Sequence, residues 1–361
     1  MKAAIFGAGL AGLACAISLH SEGHDCRIYE RSRQSHDAGM GFILLPEAIT
    51  GLVSLGVNLQ EDRSGVPLAH YLCRTSSGEI LEQQSLPTGT RSFRRRDLIA
   101  AMTASLDSNC PIIFNAELDR FEFHSQGDVR AACLSSGHKI HAELYLAADG
   151  SRSKARAAIY PDRSAPPAPV AEVVGMVRCA DAIRWSQGNF NKFHAEGGGL
   201  ALGIVPVDRD HVVWFLQFDV QKFPLPPDTP ESLLSFVENL VGAWAEPAPH
   251  LLHHTDYSRV HLWRPVDVDL VPEFYRGNLV LAGDAAHPML PFTSRGVSSA
   301  IADALVLTQA LRSVRDLSQA LAQYSAQRRS ECAPYISKGR DLTRNFLAPL
   351  CRENAVVPLA I

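Results

Sequence analysis

Apolar residues along this chain follow two spacings, and the change between them marks its elements. Lys2 to Phe6 and Cys26 to Tyr29 are short apolar runs that read as buried strands. Between them Leu10, Leu13, Ala14, Ala16 and Ile17 recur at helical spacing, so Leu13 to His20 reads as a helix. Pro46 opens a further helix to about Leu55, a position that suits proline. Val66 to Arg74 and Glu79 to Gln83 read as strands joined at Ser76-Ser77-Gly78, and Asp97 to Leu106 as a helix. Ile112 to Phe114, Leu118 to Phe123, Val129 to Leu134 and Lys139 to Leu146 read as a strand and a meander. Tyr145 to Ala148 is a buried strand that ends on Asp149-Gly150, before a short helix from Ser151 to Ile159.

The proline-rich stretch 161–169 is the clearest linker. Beyond it, Val173 to Cys179, Lys192 to His194, Leu200 to Val207 and His211 to Asp219 predict a second sheet. In the last of these, Val212, Trp214, Leu216 and Phe218 share one face. A helix from Glu231 to Trp244 and a strand from Tyr257 to Trp263 follow. Leu279 to Ala282 is another buried strand, ending on Gly283-Asp284. Helical spacing runs from Ser294 to Leu311 and again from Asp316 to about Phe346.

The first strand–helix–strand unit carries the sharpest chemical signal. Gly7-Ala8-Gly9-Leu10-Ala11-Gly12 is a G-x-G-x-x-G turn between strand and helix, and the second strand ends on an acid, Glu30. That context is the dinucleotide-binding fingerprint. Gly7 makes the tight turn, Gly9 lets a pyrophosphate approach the backbone, and Gly12 lets the helix pack on the strand. The helix N-terminus offers free N–H groups and a positive dipole end to phosphates, and Glu30 suits a ribose diol. Asp149 and Asp284 stand at the carboxyl ends of two more buried strands, where doubly wound sheets bind ligands. Asp284 suits a ribityl or ribose hydroxyl.

Bulk properties narrow the class. The 361 residues suffice for two domains. A formal net charge of −4 gives no electrostatic reason to expect a nucleic-acid partner or an anionic membrane. Eight scattered cysteines without a C-x-x-C fit the reduced thiols of a cytoplasmic protein. The glycine-broken N-terminus does not read as a signal peptide, and no apolar run is long enough for a membrane span.

The three motifs, from Gly7 to Glu30, from Leu146 to Arg156 and from Gly277 through Pro288 and Gly296 to Ala304, occur in the order found in a known family. The chain resembles the single-component class A FAD-dependent monooxygenases, the aromatic hydroxylases of the p-hydroxybenzoate hydroxylase fold, over nearly its whole length. The resemblance implies an α/β fold. A doubly wound, glutathione-reductase-like FAD-binding domain would be formed by residues 1–65, 93–165 and 270–361. A sheet-plus-helix substrate domain would be formed by 66–92 and 170–269. It implies that Gly7, Gly9, Ala11, Gly12, Glu30 and Arg31 hold the ADP half of FAD, that Arg95 reaches the cofactor, and that the Leu118 backbone lies near the adenine. Asp149 would serve the FAD phosphates and the nicotinamide cofactor. Asp284, Gly296 and Val297 would line the ribityl and isoalloxazine site. It further implies NADPH or NADH and O₂ as co-substrates, a flavin hydroperoxide as oxygen donor, an aromatic or heteroaromatic small molecule as acceptor, and a monomer or homodimer. A reductase or halogenase of the same fold, or a non-catalytic flavin module, are the competing readings. The halogenase segment W-x-W-x-I-P is missing from the sequence.

One stretch departs from the family. Where many relatives have a Gly-Gly-Gln-Gly turn, this chain has Thr293-Ser294-Arg295-Gly296. Ser294 is a candidate N-cap. Arg295 can face solvent, ease an anionic flavin or bind an acidic substrate. His287, at a strand-to-loop corner, reads as structural, the arginines from Arg91 to Arg96 as a solvated face apart from Arg95, and Trp214, Phe193, Phe215 and Phe218 as core. His194 is a weak general-base candidate. His253-His254 lacks metal-ligand spacing.

Overall fold

A computed structural model describes residues 1–34, 40–59 and 65–355.

The N-terminal strand Lys2–Phe6 lies at the centre of a six-stranded sheet. Asp25–Tyr29 and Ile112–Ile113 lie in parallel on one side of it, Leu144–Ala147 and Leu279–Leu281 in parallel on the other, and Tyr275–Arg276 closes the edge antiparallel. Helix Leu10–Ser21 packs against the sheet and against helix Gly296–Ser313, where the Ser18 hydroxyl donates to Thr308 at 2.7 Å inside the core. Parallel strands buried on both faces need continuous apolar runs, which is what Lys2–Phe6 and Leu144–Ala147 supply.

A seven-stranded sheet forms the second layer. Its order is His261–Trp263, Val170–Arg178, His211–Asp219, Leu200–Pro206, Phe190–His194, His70–Thr75 and Ile80–Ser85. Only the pair Phe190–His194 and His70–Thr75 is parallel. Helices Pro230–Val241 and Ala248–His253 cover one face, in a core that contains Val212, Trp214, Leu216 and Phe218 as expected, and also Phe193. Phe215 lies on the opposite face and is half-buried.

Several boundaries differ from the sequence reading. The run from Val66 to Arg74 is two strands in different sheets: Val66–Pro67 pairs with Arg91–Arg94, which also pairs with Gly41–Leu44. The run from Lys139 to Leu146 also divides, with Lys139–Ile140 in a separate three-stranded sheet. Tyr257–Arg259 is a 3-10 turn ahead of the strand. Helices Ala180–Ser186 and Ala248–His253 were not expected; both are under two turns long, and Pro247 and Pro249 mask the second. The C-terminal helical spacing is one helix, Leu317–Leu347, running through Pro334.

Candidate active site

The carboxyl ends of Lys2–Phe6, Asp25–Tyr29 and Leu144–Ala147 open onto one cleft. Gly7, Ala8 and Gly9 line it beside Tyr29, Glu30, Arg31, Arg95, Leu118 and Asp149. Gly7 has φ +106°, and a Cβ there would overlap the Ala148 carbonyl. A Cβ on Gly12 would overlap the Gly7 carbonyl, so the helix can approach the strand end only with glycine at that position. At Gly9 no atom lies within 4 Å of the added carbon: the space it faces is open. The three glycines thus do three different things.

Glu30 is fixed at the edge of the cleft. Its Oε2 accepts from the Ala8 N–H at 2.7 Å and its Oε1 from the Ser32 N–H and hydroxyl at 2.9 and 2.6 Å. Burial works to raise its pKa, but the Ser32 hydroxyl and the two N–H donors outweigh burial and lower it. Leu118 is buried, and its carbonyl is taken by Lys154 Nζ at 2.8 Å.

Two buried polar atoms in the cleft, Asp149 Oδ1 and Arg95 Nε, have no partner among the described residues. Asp149 Oδ2 accepts a long bond from the Ala155 N–H at 3.2 Å. The Arg95 guanidinium lies 5.4 Å over the Phe42 ring, and burial lowers its pKa against the pull of Asp284. Buried polar groups are normally satisfied. An orphaned acceptor and an orphaned donor beside an open glycine cradle fit a ligand with both hydroxyl and phosphate oxygens, as FAD has.

Asp284, Gly296 and Val297 stand beyond the cleft lining, on the next strand end and the helix that follows. Arg156 ties the two strand ends together. It donates to the Asp284 and Ala285 carbonyls, both at 3.0 Å, and to Ser151 O. The Asp284 side chain meets solvent, yet the surrounding protein raises its pKa, against His287, Arg95 and Arg156. Gly283, at φ +59°, leaves no room for a Cβ against Ala11, so the glycine fingerprint and the second Asp motif meet there.

A buried network holds this corner. Asp303 Oδ2 accepts from the Gly283 N–H at 2.6 Å and pairs with His287 Nε2 at 2.7 Å, while Oδ1 accepts from Arg328 Nε at 2.7 Å. Burial would lower the His287 pKa, but the Asp303 carboxylate overrides it and raises it to about 10. His287 is structural, as the sequence implied. The roles of Arg156, Asp303 and Arg328 were not foreseen; Arg156 sits seven residues after Asp149, and only the fold shows that it reaches across to Asp284.

The departing turn also resolves. Ser294 is not an N-cap: it takes the left-handed conformation itself, φ 51°, where a glycine is usual, and Arg295 occupies the cap position. The Thr293 hydroxyl accepts from the Arg295 N–H at 3.3 Å and donates to the Leu290 carbonyl at 3.2 Å, which supports the turn. Arg295 is not a solvated side chain; it pairs with Glu47 and lies 4.8 Å over Tyr335. Nor are Arg91 to Arg96 a solvated face: Arg94 is buried and pairs with Asp208 at 2.9 Å, Arg91 donates to the Gly65 carbonyl, and only Arg96 is exposed. His194 Nε2 lies 3.4 Å from the Tyr71 hydroxyl. Among the described residues no group of His, Cys, Asp and Glu can hold a metal, and no helix is long and apolar enough to cross a membrane.

Comparison with known proteins agrees with this geometry. Residues 1–336 match the FAD binding domain family. The FAD-dependent urate hydroxylase of Klebsiella pneumoniae is 28% identical over 354 residues, covering 94% of this chain and 89% of that protein. The 3-amino-4-hydroxybenzoate 2-monooxygenase of Streptomyces cremeus is 28% identical over 363 residues, covering 97% of this chain and 88% of the relative. The crystal structure of Klebsiella pneumoniae HpxO complexed with FAD and uric acid superposes with a TM-score of 0.80 at 24% identity, covering 100% of this chain and 89% of that one; it shares the fold. The chain belongs to the FAD-binding family of flavin-dependent aromatic monooxygenases.

Proposed function

We propose that this protein hydroxylates an aromatic or heteroaromatic small molecule, with FAD held in the cleft between Gly7 and Asp149 and NAD(P)H and O₂ as co-substrates. The observation that carries this reading is the pair of orphaned atoms, Asp149 Oδ1 and Arg95 Nε, facing the same cleft as the open Gly9 cradle. Bound there, FAD supplies hydride acceptance and oxygen activation.

In this reading the chain's own groups bind and orient. N–H groups at the start of helix Leu10–Ser21, with Gly7, Gly9, Ala11 and Gly12 around them, hold the pyrophosphate. Glu30 accepts from the ribose diol, Arg31 and the Leu118 backbone flank the adenosine end, and Arg95 and Asp149 satisfy the phosphates and ribityl oxygens between them. Asp284 accepts from the ribityl chain. The N-terminus of helix Gly296–Ser313, with Val297, turns a positive dipole end toward the flavin ring and stabilises negative charge there. Residues 1–65, 93–165 and 270–361 form the cofactor unit, and 66–92 with 170–269 the unit that covers the substrate and keeps water from it. Seven buried thiols support a cytoplasmic protein and a net charge of −4 one without a nucleic-acid partner, and in this reading it is a monomer or homodimer.

The test is NAD(P)H oxidation by FAD-loaded protein across phenolic, benzoic and purine-like candidates, scored by product mass. Substrate-stimulated oxidation with a product one oxygen heavier is expected. Failure of every candidate to stimulate oxidation, with FAD bound, overturns the reading.

A further inference from the structure

The two faces of the seven-stranded sheet are finished differently. The face under helices Pro230–Val241 and Ala248–His253 is sealed by Val173, Trp214 and Leu216. The other face turns toward Leu45, Leu290 and Phe292, and there Val174, Met176 and Phe215 remain half-buried. At the inner end of this looser region three polar side chains are buried together: Glu172, Gln217 and Lys192.

The register explains how they meet. Glu172 lies opposite Gln217, and Gln217 opposite Ala201. Phe215 lies opposite Gly203, which in turn lies opposite Lys192. Small residues on the middle strand let both longer side chains lie down across it. Lys192 Nζ donates to Gln217 Oε1, and Gln217 Nε2 donates to Glu172 Oε1. The Phe215 ring covers Gly203, where a Cβ would overlap it, and its centroid is 6.0 Å from Nζ. Two further rings complete the enclosure: Phe292 at 5.2 Å and Phe346 at 5.4 Å. Phe292 belongs to the turn Pro291–Thr293, just ahead of the helix whose start faces the flavin in the reading above. The ammonium therefore stands between the substrate sheet and the flavin turn.

An ammonium carries three donors. Among the described residues Lys192 finds one acceptor, Gln217 Oε1, and otherwise ring faces. A buried cation so poorly satisfied is costly unless a partner of opposite charge joins it. Burial lowers Lys192 to about 8, against the pull of Glu172, and raises Glu172 to about 7, against the Gln217 hydrogen bond and Lys192. Burial and the Lys192 charge push His194 well below its usual range.

We propose that Lys192 is the specificity-determining residue of the substrate site, donating to an anionic oxygen or nitrogen of an acidic aromatic or heteroaromatic substrate while Phe215 and Phe292 face its ring. The proposal rests on the hydroxylase reading.

The test uses FAD-loaded enzyme and closely matched ligand pairs of which one member carries the carboxylate charge and the other does not: hydroxybenzoates against their carboxamides. Binding is read from perturbation of the flavin spectrum. The best anions are expected to bind at least about tenfold tighter than their neutral partners, a difference of about 1.4 kcal/mol. Lys192→Met brings each pair to within about twofold at unchanged FAD content, and Lys192→Arg restores part of the preference. Gln217→Glu, which places a carboxylate on the ammonium, weakens anions about tenfold and spares neutral rings. Equal binding of the neutral partners, a preference that survives Lys192→Met or Gln217→Glu, or no anion that perturbs the flavin overturns the proposal. Anions bound preferentially but never oxygenated would defeat the hydroxylase reading instead. Neutral rings oxygenated without preference would defeat only the role of Lys192.

Discussion

Asp303→Asn is the substitution that most directly probes the corner between the two Asp motifs. Three N–H groups end on that carboxylate, from Gly283, His287 and Arg328, at 2.6 to 2.7 Å, and its side chain is fully buried. Asparagine keeps the shape but brings an NH₂ group against one of these donors and removes the charge between two buried cations. Breaking a buried pair on one side costs about 3–5 kcal/mol. Two reliefs favour the lower end. His287 can lose its proton, because Asp303 is what raises its pKa, and Arg328 keeps its pairing with Glu331. The expected loss is therefore about 3 kcal/mol, a large part of a typical total of roughly 5–15 kcal/mol. Urea unfolding of the FAD-free protein, followed by tryptophan fluorescence and circular dichroism together, measures it without the ligand's contribution. FAD affinity is expected to fall as well, since the Gly283 N–H that Asp303 holds precedes Asp284. A variant within about 0.5 kcal/mol of wild type, the ordinary scale of a neutral surface change, with unaltered FAD affinity would refute the reasoning.

Gly9→Ala and Gly12→Ala should separate cofactor binding from folding. At Gly9 the added carbon meets no protein atom, so thermal stability of the FAD-free protein should hold while FAD retention is lost; at Gly12 it overlaps the Gly7 carbonyl, so both should fall. Glu30→Gln should weaken FAD binding by roughly tenfold or more, as expected when a charge-assisted hydrogen bond of about 1.5–3 kcal/mol is reduced, measured by titration of the FAD-free protein. His287, raised to about 10 from a usual value near 6.5, should contribute stability that is full below about pH 6.5 and lost as pH rises through about 10. The stability gap between wild type and His287→Gln in urea should therefore shrink steadily across that window, and a constant gap would remove the charged His287–Asp303 pair from the account.

The sequence exposed the proposed cofactor half of the site because that half depends on backbone. Gly7, Glu30, Asp149 and Asp284 follow strand ends where local pattern and spacing dictate their place, and all return at the carboxyl edge of the parallel strands of one sheet. What stayed hidden depends on pairing between distant segments. Lys192 looked like one residue of an ordinary strand until the register laid Gln217 and Phe215 across Ala201 and Gly203 to reach it. The Arg91 to Arg96 cluster looked solvated because nothing local reveals Asp208 opposite Arg94. Ser294 likewise holds the left-handed turn without glycine, supported by its neighbour Thr293 through contacts that no spacing rule encodes.

The central claim, that the cleft from Gly7 to Asp149 is the seat of FAD, is tested most directly by flavin stoichiometry. After reconstitution and removal of free cofactor, wild-type protein should retain close to one FAD per chain, identified as FAD on release, and Gly9→Ala should retain almost none at equal thermal stability. Wild-type protein that holds no more flavin than Gly9→Ala would contradict the account.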